Sequence, residues 1–185
     1  IVWAKISSLS DIKCSVNWMW PAKLPGEGAA LWDCADALAR FMKFMGIAAD
    51  GGKDSVSMAA RVENEMVKSP GQVVVSAYVT VDDINKAVTP DIKYPGESLL
   101  IFIDISKGKN RLGGSAFAQT LGQVGDQCPD ADDPELFKNA FYGVQEMIDK
   151  GLILSGHDRS DGGLITAVSE MIMSGNCGAE IDIAG

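Results

Sequence analysis

The sequence predicts an α/β (α+β) fold, and three features carry that expectation. Segments with the branched and aromatic content of strands take turns with segments whose apolar residues recur every three or four positions. No internal repeat or low-complexity tract interrupts them. Of the 185 residues, 46% are hydrophobic, enough to supply a real core.

In chain order, the opening "IVWAKISSLS" reads as a helix entered part-way, which marks the chain as a fragment of something longer. "IKCSVNWMWP" is a strand closed by Pro21. The turn "KLPGEG" opens a helix in which Leu31, Ala35, Leu38, Met42 and Met45 form one apolar stripe, ended by Gly46. "DGGKDSVSMAARV" is a loop running into a strand, "QVVVSAYVTV" is a second strand, and "DDINKAV" is a helical turn. Thr89, Pro90 and "YPGES" then break the pattern and place a domain boundary near residue 95, giving domains 1–95 and 96–185.

Beyond the boundary, "SLLIFIDIS" is nearly continuously apolar, as a strand buried on both faces would be. "KGKNRLGGSAFAQTLGQ" is a polar loop into a helix. "DPELFKNAFYGVQEMIDKG" is a helix capped by Asp133, with Pro134 in its first turn, Leu136, Ala140, Val144 and Met147 on one face, and Gly151 as its stop. "LILSGHD" is a strand, "SDGGLITAVSEMIMSG" a helix with Leu164, Val168, Met171 and Ile172 inward, and "AEIDIA" a closing strand.

Charge narrows the function. Twenty-five acidic residues against sixteen basic give a net charge of −9, which argues against nucleic acid or an anionic membrane surface and for small-molecule or protein partners. No run approaches the roughly 18 apolar residues of a membrane span, and no leader peptide is visible. Cys14, Cys34, Cys128 and Cys177 lack C-x-x-C spacing, so they read as reduced core thiols rather than a zinc site, and the compartment reads as cytoplasmic.

Three stretches could carry chemistry. In "GHDRSDGGL", residues 156–164, Asp158 and Ser160 lie where a strand hands over to a helix. The free N–H groups and dipole of a helix start favour phosphate, and a carboxylate beside them can hold the Mg²⁺ that accompanies nucleotides. Equally, Ser160 or Asp161 could simply cap the helix, and His157 could be a base or a hydrogen-bonded structural residue. In "ADGGKDSVS", residues 49–57, paired glycines let the backbone approach a ligand, Lys53 can neutralise phosphate, and Asp54 and Ser55 offer metal or hydroxyl contacts. It lacks the spacing of the G-x-x-x-x-G-K-[ST] phosphate loop, and an ordinary glycine turn is the competing reading. In "NRLGGSAFAQ", Gly113 and Gly114 could face an anion or let helix and sheet touch. "DDIN" and "DADDPE" read as solvated caps and loops.

Taken together, "SVNWMW", "PGEGAALWD", "GGKDSVSMAAR", "SPGQVVVSAY", "VTPDIK", "RLGGSAFAQTLGQVGD" and "GHDRSDGGL", in that order, resemble the second half of the synthetase region of the large glutamine-dependent phosphoribosylformylglycinamidine synthase family. The resemblance implies a partial aminoimidazole-ribonucleotide-synthetase-like N-terminal domain followed by part of its C-terminal α/β domain. It implies a carbon–nitrogen ligase of purine biosynthesis that uses ATP, Mg²⁺ and glutamine-derived ammonia to turn formylglycinamide ribonucleotide into the amidine. The partners it implies are the other synthetase half and a glutaminase domain, and it implies a fragment inactive by itself. Asp158 then matches the Mg²⁺ ligand of a structural ATP/ADP site, and Ser160 matches a residue contacting that nucleotide. Gly52, Lys53, Asp54 and Ser55 match a loop reaching the catalytic cleft, where Lys53 replaces an asparagine metal ligand; a charged ammonium cannot coordinate Mg²⁺, which leaves it a phosphate contact. The family's catalytic histidine and glutaminase cysteine have no counterpart here. Two alternatives are a non-catalytic nucleotide-binding half-domain and another ATP-using member of the same superfamily.

Overall fold

The structure, a computed structural model, describes residues 1–182. The chain divides into two compact units, one formed by Ile1 with Ile6–Asp82 and the other by Val2–Lys5 with the chain from Asp83 onward.

The first unit is built on β1 (Lys13–Met19), α1 (Glu27–Met45), β2 (Ala48–Ser55), a hairpin of β3 (Ala59–Val62) and β4 (Glu65–Lys68), and β5 (Gln72–Tyr78). β1 is the central strand, parallel to β2 and antiparallel to β5. A parallel neighbour needs a crossover, and α1 supplies it. Cys14 and Val16 are buried on alternate positions of β1, and Pro21, with no N–H to donate, is fully buried just after the strand ends. The expected stripe of α1 is the face that packs: Leu31, Ala35, Leu38 and Met42 are half-buried and Met45 is 2% exposed. Gly46 ends the helix in the left-handed conformation at φ 77°, its N–H reaching the carbonyls of Met42 and Lys43. Ile6, Leu9 and Ile12 complete this core.

Two sequence expectations fail in this unit. The opening residues form no α-helix, only a 3₁₀ turn at Leu9–Asp11, and Val2–Lys5 run as a strap belonging to the other unit. "DGGKDS" is not a loop but the greater part of β2. Two glycines and two aspartates carry no strand signal; β1 makes the strand by taking up the backbone groups of Lys53, Asp54 and Ser55 opposite Asn17, Trp18 and Met19. β4 was not anticipated either, whereas β1, β5 and the 3₁₀ turn at Ile84–Lys86 fall where the pattern placed them.

In the second unit the helices are α2 (Ala116–Thr120), α3 (Pro134–Asp149) and α4 (Gly163–Ser174). Asp133 caps α3 by accepting from the Leu136 N–H, with Pro134 in the first turn. Val144 and Ile148 of α3 and Ala167, Val168 and Met171 of α4 are its buried apolar residues. Residues 83–95 belong to this compact unit, where Ser155 Oγ donates to the Asp91 carbonyl at 2.5 Å, and Gly156 N–H to the Thr89 carbonyl at 3.2 Å.

The strands expected at "SLLIFIDIS" and "LILSGHD" are not formed, and Leu99 and Ile101 are 90% and 74% exposed. Apolar content suits a segment to a buried strand, but a strand exists only when a neighbour takes up its N–H and C=O groups, and among the described residues none pairs with these. The expected closing strand "AEIDIA" is likewise unformed over residues 179–182 and otherwise lies outside the described residues.

Candidate functional site

Gly52 to Ser55 occupy the C-terminal half of β2. Lys53 and Asp54 are exposed and Ser55 is half-buried, its carbonyl accepting from the Trp20 N–H at 2.9 Å. Lys53 enters no salt bridge among the described residues. The register between β1 and β2 shifts between Cys14 and Ser15, and beyond that bulge Gly52 sits opposite Val16 with φ 151°. A Cβ there would stand 1.8 Å from the Val16 carbonyl oxygen. The glycine is therefore required by the sheet itself, whatever approaches the strand from outside. At the bulge, Tyr78 donates to Asp50 at 2.5 Å. That hydrogen bond raises the phenol's pKa above its ordinary value, and burial, with Asp50 nearby, raises that of the Cys14 thiol.

The second stretch leads into α4. Its N-cap is Gly162, left-handed at φ 83°, and no side chain caps the helix. The capping reading of Ser160 and Asp161 is thus set aside: the backbone closes the turn through Gly163 N–H to the Ser160 carbonyl at 3.1 Å, and both side chains are left exposed at the positive end of the helix. Asp158 accepts a hydrogen bond from the Trp3 indole N–H at 2.6 Å through Oδ1. His157 is the structural residue, since Nδ1 lies 2.7 Å from the Asp158 carbonyl oxygen and Nε2 lies 2.5 Å from Glu170 Oε2. Arg159 lies over the Phe102 ring, 5.0 Å from its centroid, and 3.9 Å from Asp104. Asp104 also accepts from Ser106 and from the Gly108 N–H, and these bonds, Ser106 first, hold its carboxyl below the ordinary range.

One hard carboxylate oxygen beside a helix start suits Mg²⁺ carried on nucleotide phosphates, which commonly takes only one or two protein carboxylates. A protein-only cage does not fit: no group of three or more His, Cys, Asp or Glu able to hold a metal exists among the described residues. Asp158 and Ser160 belong to one compact unit and Gly52 to Ser55 to the other.

The third stretch serves packing, but of loop on loop rather than the expected helix on sheet. A Cβ on Gly113 would meet the Gln127 carbonyl at 2.6 Å, Gly113 and Gly114 N–H donate to the Gln127 and Val124 carbonyls, and α2 is a single short turn capped by Ser115. "DADDPE" is the cap and exposed loop expected, with added ion pairs: Asp132 is paired to Arg111 at 2.5 Å and Lys109 at 3.2 Å, and the cap Asp133 to Lys107. Sequence reasoning missed Trp3 and Gln145, the residues around which the strap is built. No local signal joins them to positions more than 140 residues away.

A family model for the FGAR-AT PurM_N-like domain matches residues 1–80, and one for the C-terminal domain of AIR synthase related proteins matches residues 95–184. The probable phosphoribosylformylglycinamidine synthase, chloroplastic/mitochondrial, of Arabidopsis thaliana is 55% identical over 185 residues, which is 100% of this chain and 13% of that protein. The phosphoribosylformylglycinamidine synthase of Homo sapiens is 50% identical over 184 residues, 99% of this chain and 14% of that one. The chain belongs to the phosphoribosylformylglycinamidine synthase family. It spans about one seventh of these relatives' length. The family's fold is confirmed by a solved structure, T. maritima PurL complexed with ATP, which matches 95% of this chain and 24% of its own at a TM-score of 0.55 and 20% identity. No helix among the described residues is long and apolar enough to cross a membrane.

Proposed function

We propose that the chain is part of the second synthetase half of an ATP-dependent carbon–nitrogen ligase. The intact enzyme converts formylglycinamide ribonucleotide, ATP and glutamine-derived ammonia to formylglycinamidine ribonucleotide, with the glutaminase and the other synthetase half elsewhere in the parent protein. The two regions matched at 1–80 and 95–184 are the half's N-terminal and C-terminal domains, and the segment between them is carried largely by the second compact unit. The relatives' names and the ATP in the T. maritima neighbour support this reading, and the four free cysteines suit a reducing, cytoplasm-like compartment.

This chain's own share is to bind and position phosphate. The observation that carries it is the 158–163 loop, a carboxylate set before a helix start that no side chain caps. Asp158 would hold Mg²⁺ and Ser160 the nucleotide at a structural site, the metal supplying charge neutralisation for the phosphate oxygens. Lys53, with Gly52, Asp54 and Ser55, would line the catalytic cleft and offer its ammonium to phosphate. A purely structural nucleotide-binding half is the second reading, favoured by the one histidine having both ring nitrogens engaged.

Asp158→Asn in the full-length enzyme tests the proposal. Less nucleotide should be retained through purification and the protein should melt lower, because a ligand bound only by the native state stabilises it. Unchanged nucleotide content would refute the metal role.

A further inference from the structure

The strap Val2–Lys5 is fixed at three consecutive carbonyls. The Gln145 side chain, itself only 4% exposed, donates both hydrogens of Nε2, to the Val2 carbonyl at 2.8 Å and the Ala4 carbonyl at 2.9 Å. Between them the Trp3 carbonyl accepts from the Val88 N–H at 2.7 Å. The backbone on both sides of Trp3 is thereby held, and the direction of its side chain follows. The indole lies against Gly156, where an added Cβ would come within 2.2 Å of the ring, and its N–H donates to Asp158 Oδ1. Gly156 is held in turn by the Thr89 carbonyl.

We propose that Trp3 is a positioning residue for Asp158: its indole N–H fixes the carboxylate by Oδ1 and leaves Oδ2 to the cation. The inference rests on the reading of Asp158 as the Mg²⁺ ligand. An indole is suited to the task because it only donates, so it orders a carboxylate without competing for the metal. It also reaches across from a separately anchored segment, so the orientation does not depend on the loop's own conformation. Partners that orient a ligand in this way commonly affect metal affinity by about 10- to 100-fold when removed.

The test uses nucleotide-stripped full-length enzyme, titrated calorimetrically with Mg²⁺ while ADP is held in excess, as wild type, Asp158→Asn and Trp3→Phe. Phenylalanine keeps an aromatic ring over Gly156 and removes the N–H. Trp3→Phe should weaken Mg²⁺ by about tenfold, with the melting temperature of the metal-free protein within about 2 °C of wild type. If Asp158→Asn weakens Mg²⁺ and Trp3→Phe binds as wild type does, Trp3 does not position the carboxylate. If Trp3→Phe lowers the metal-free melting temperature and leaves affinity intact, its role is packing alone. If Asp158→Asn itself binds Mg²⁺ normally, the metal reading fails and this inference fails with it.

Discussion

Adjacent glycines of β2 should respond in opposite ways to the same substitution. On Gly52 a methyl group would lie 1.8 Å from the Val16 carbonyl oxygen, 2.8 Å from its carbon and 3.0 Å from the Val16 nitrogen. Backbone cannot swing aside as a side chain can, and Val16 is also held from the other edge by its pairing with Val75. The left-handed backbone at Gly52 costs an L-residue roughly 1–2 kcal/mol, and forcing extra volume into a packed site costs about 1–3 kcal/mol more. Gly52→Ala should therefore destabilise by about 2–5 kcal/mol, which at about 2–4 °C per kcal/mol for a chain of this size lowers the melting temperature by roughly 4–20 °C. At Gly51 a Cβ meets nothing within 4 Å, so Gly51→Ala should stay within about 0.5 kcal/mol of wild type. Thermal unfolding followed by far-ultraviolet circular dichroism measures both. Equal melting temperatures for the two variants would show that β1 and β2 do not approach as closely at Val16 as the structure has them.

Lys53→Met in the intact enzyme should reduce kcat/KM for ammonia-dependent synthesis by about 10- to 100-fold, the worth of one charge-assisted phosphate contact; a loss under about twofold would leave the β2 residues as scaffold. Asp133 has its carboxyl lowered from 3.8 chiefly by Lys107 and then by the Leu136 N–H at the start of α3. Because the folded value is the lower one, its contribution to stability is present above the ordinary carboxylate range and lost as pH falls through the folded value. Asp133→Ala should consequently be less stable than wild type at neutral pH, and the two denaturant midpoints should converge on acidification; a gap independent of pH would exclude the charge as its source.

Periodicity alone placed the core-facing sides of α1 and α4, because a helix satisfies its own backbone and needs only one apolar face; on α3 it found Val144 but not the buried Gln145 and Ile148. The Gly46 stop and the Asp133 cap were legible for the same reason: both act within a few residues of themselves. The motif set "GGKDSVSMAAR" through "GHDRSDGGL" likewise carried the family without any coordinates. Strands depended on partners that the sequence cannot rank. "GGKDS" joined a sheet because β1 lies beside it, and "SLLIFIDIS", far more strand-like in composition, did not because no neighbour pairs with it among the described residues. Only the tertiary structure could decide that Gly52 is needed for the approach of Val16, that Ser160 does not cap α4, or that Trp3 holds Asp158 from the far end of the chain. Each of these is a contact between segments, fixed by the packing of residues whose separation along the sequence leaves no periodic trace.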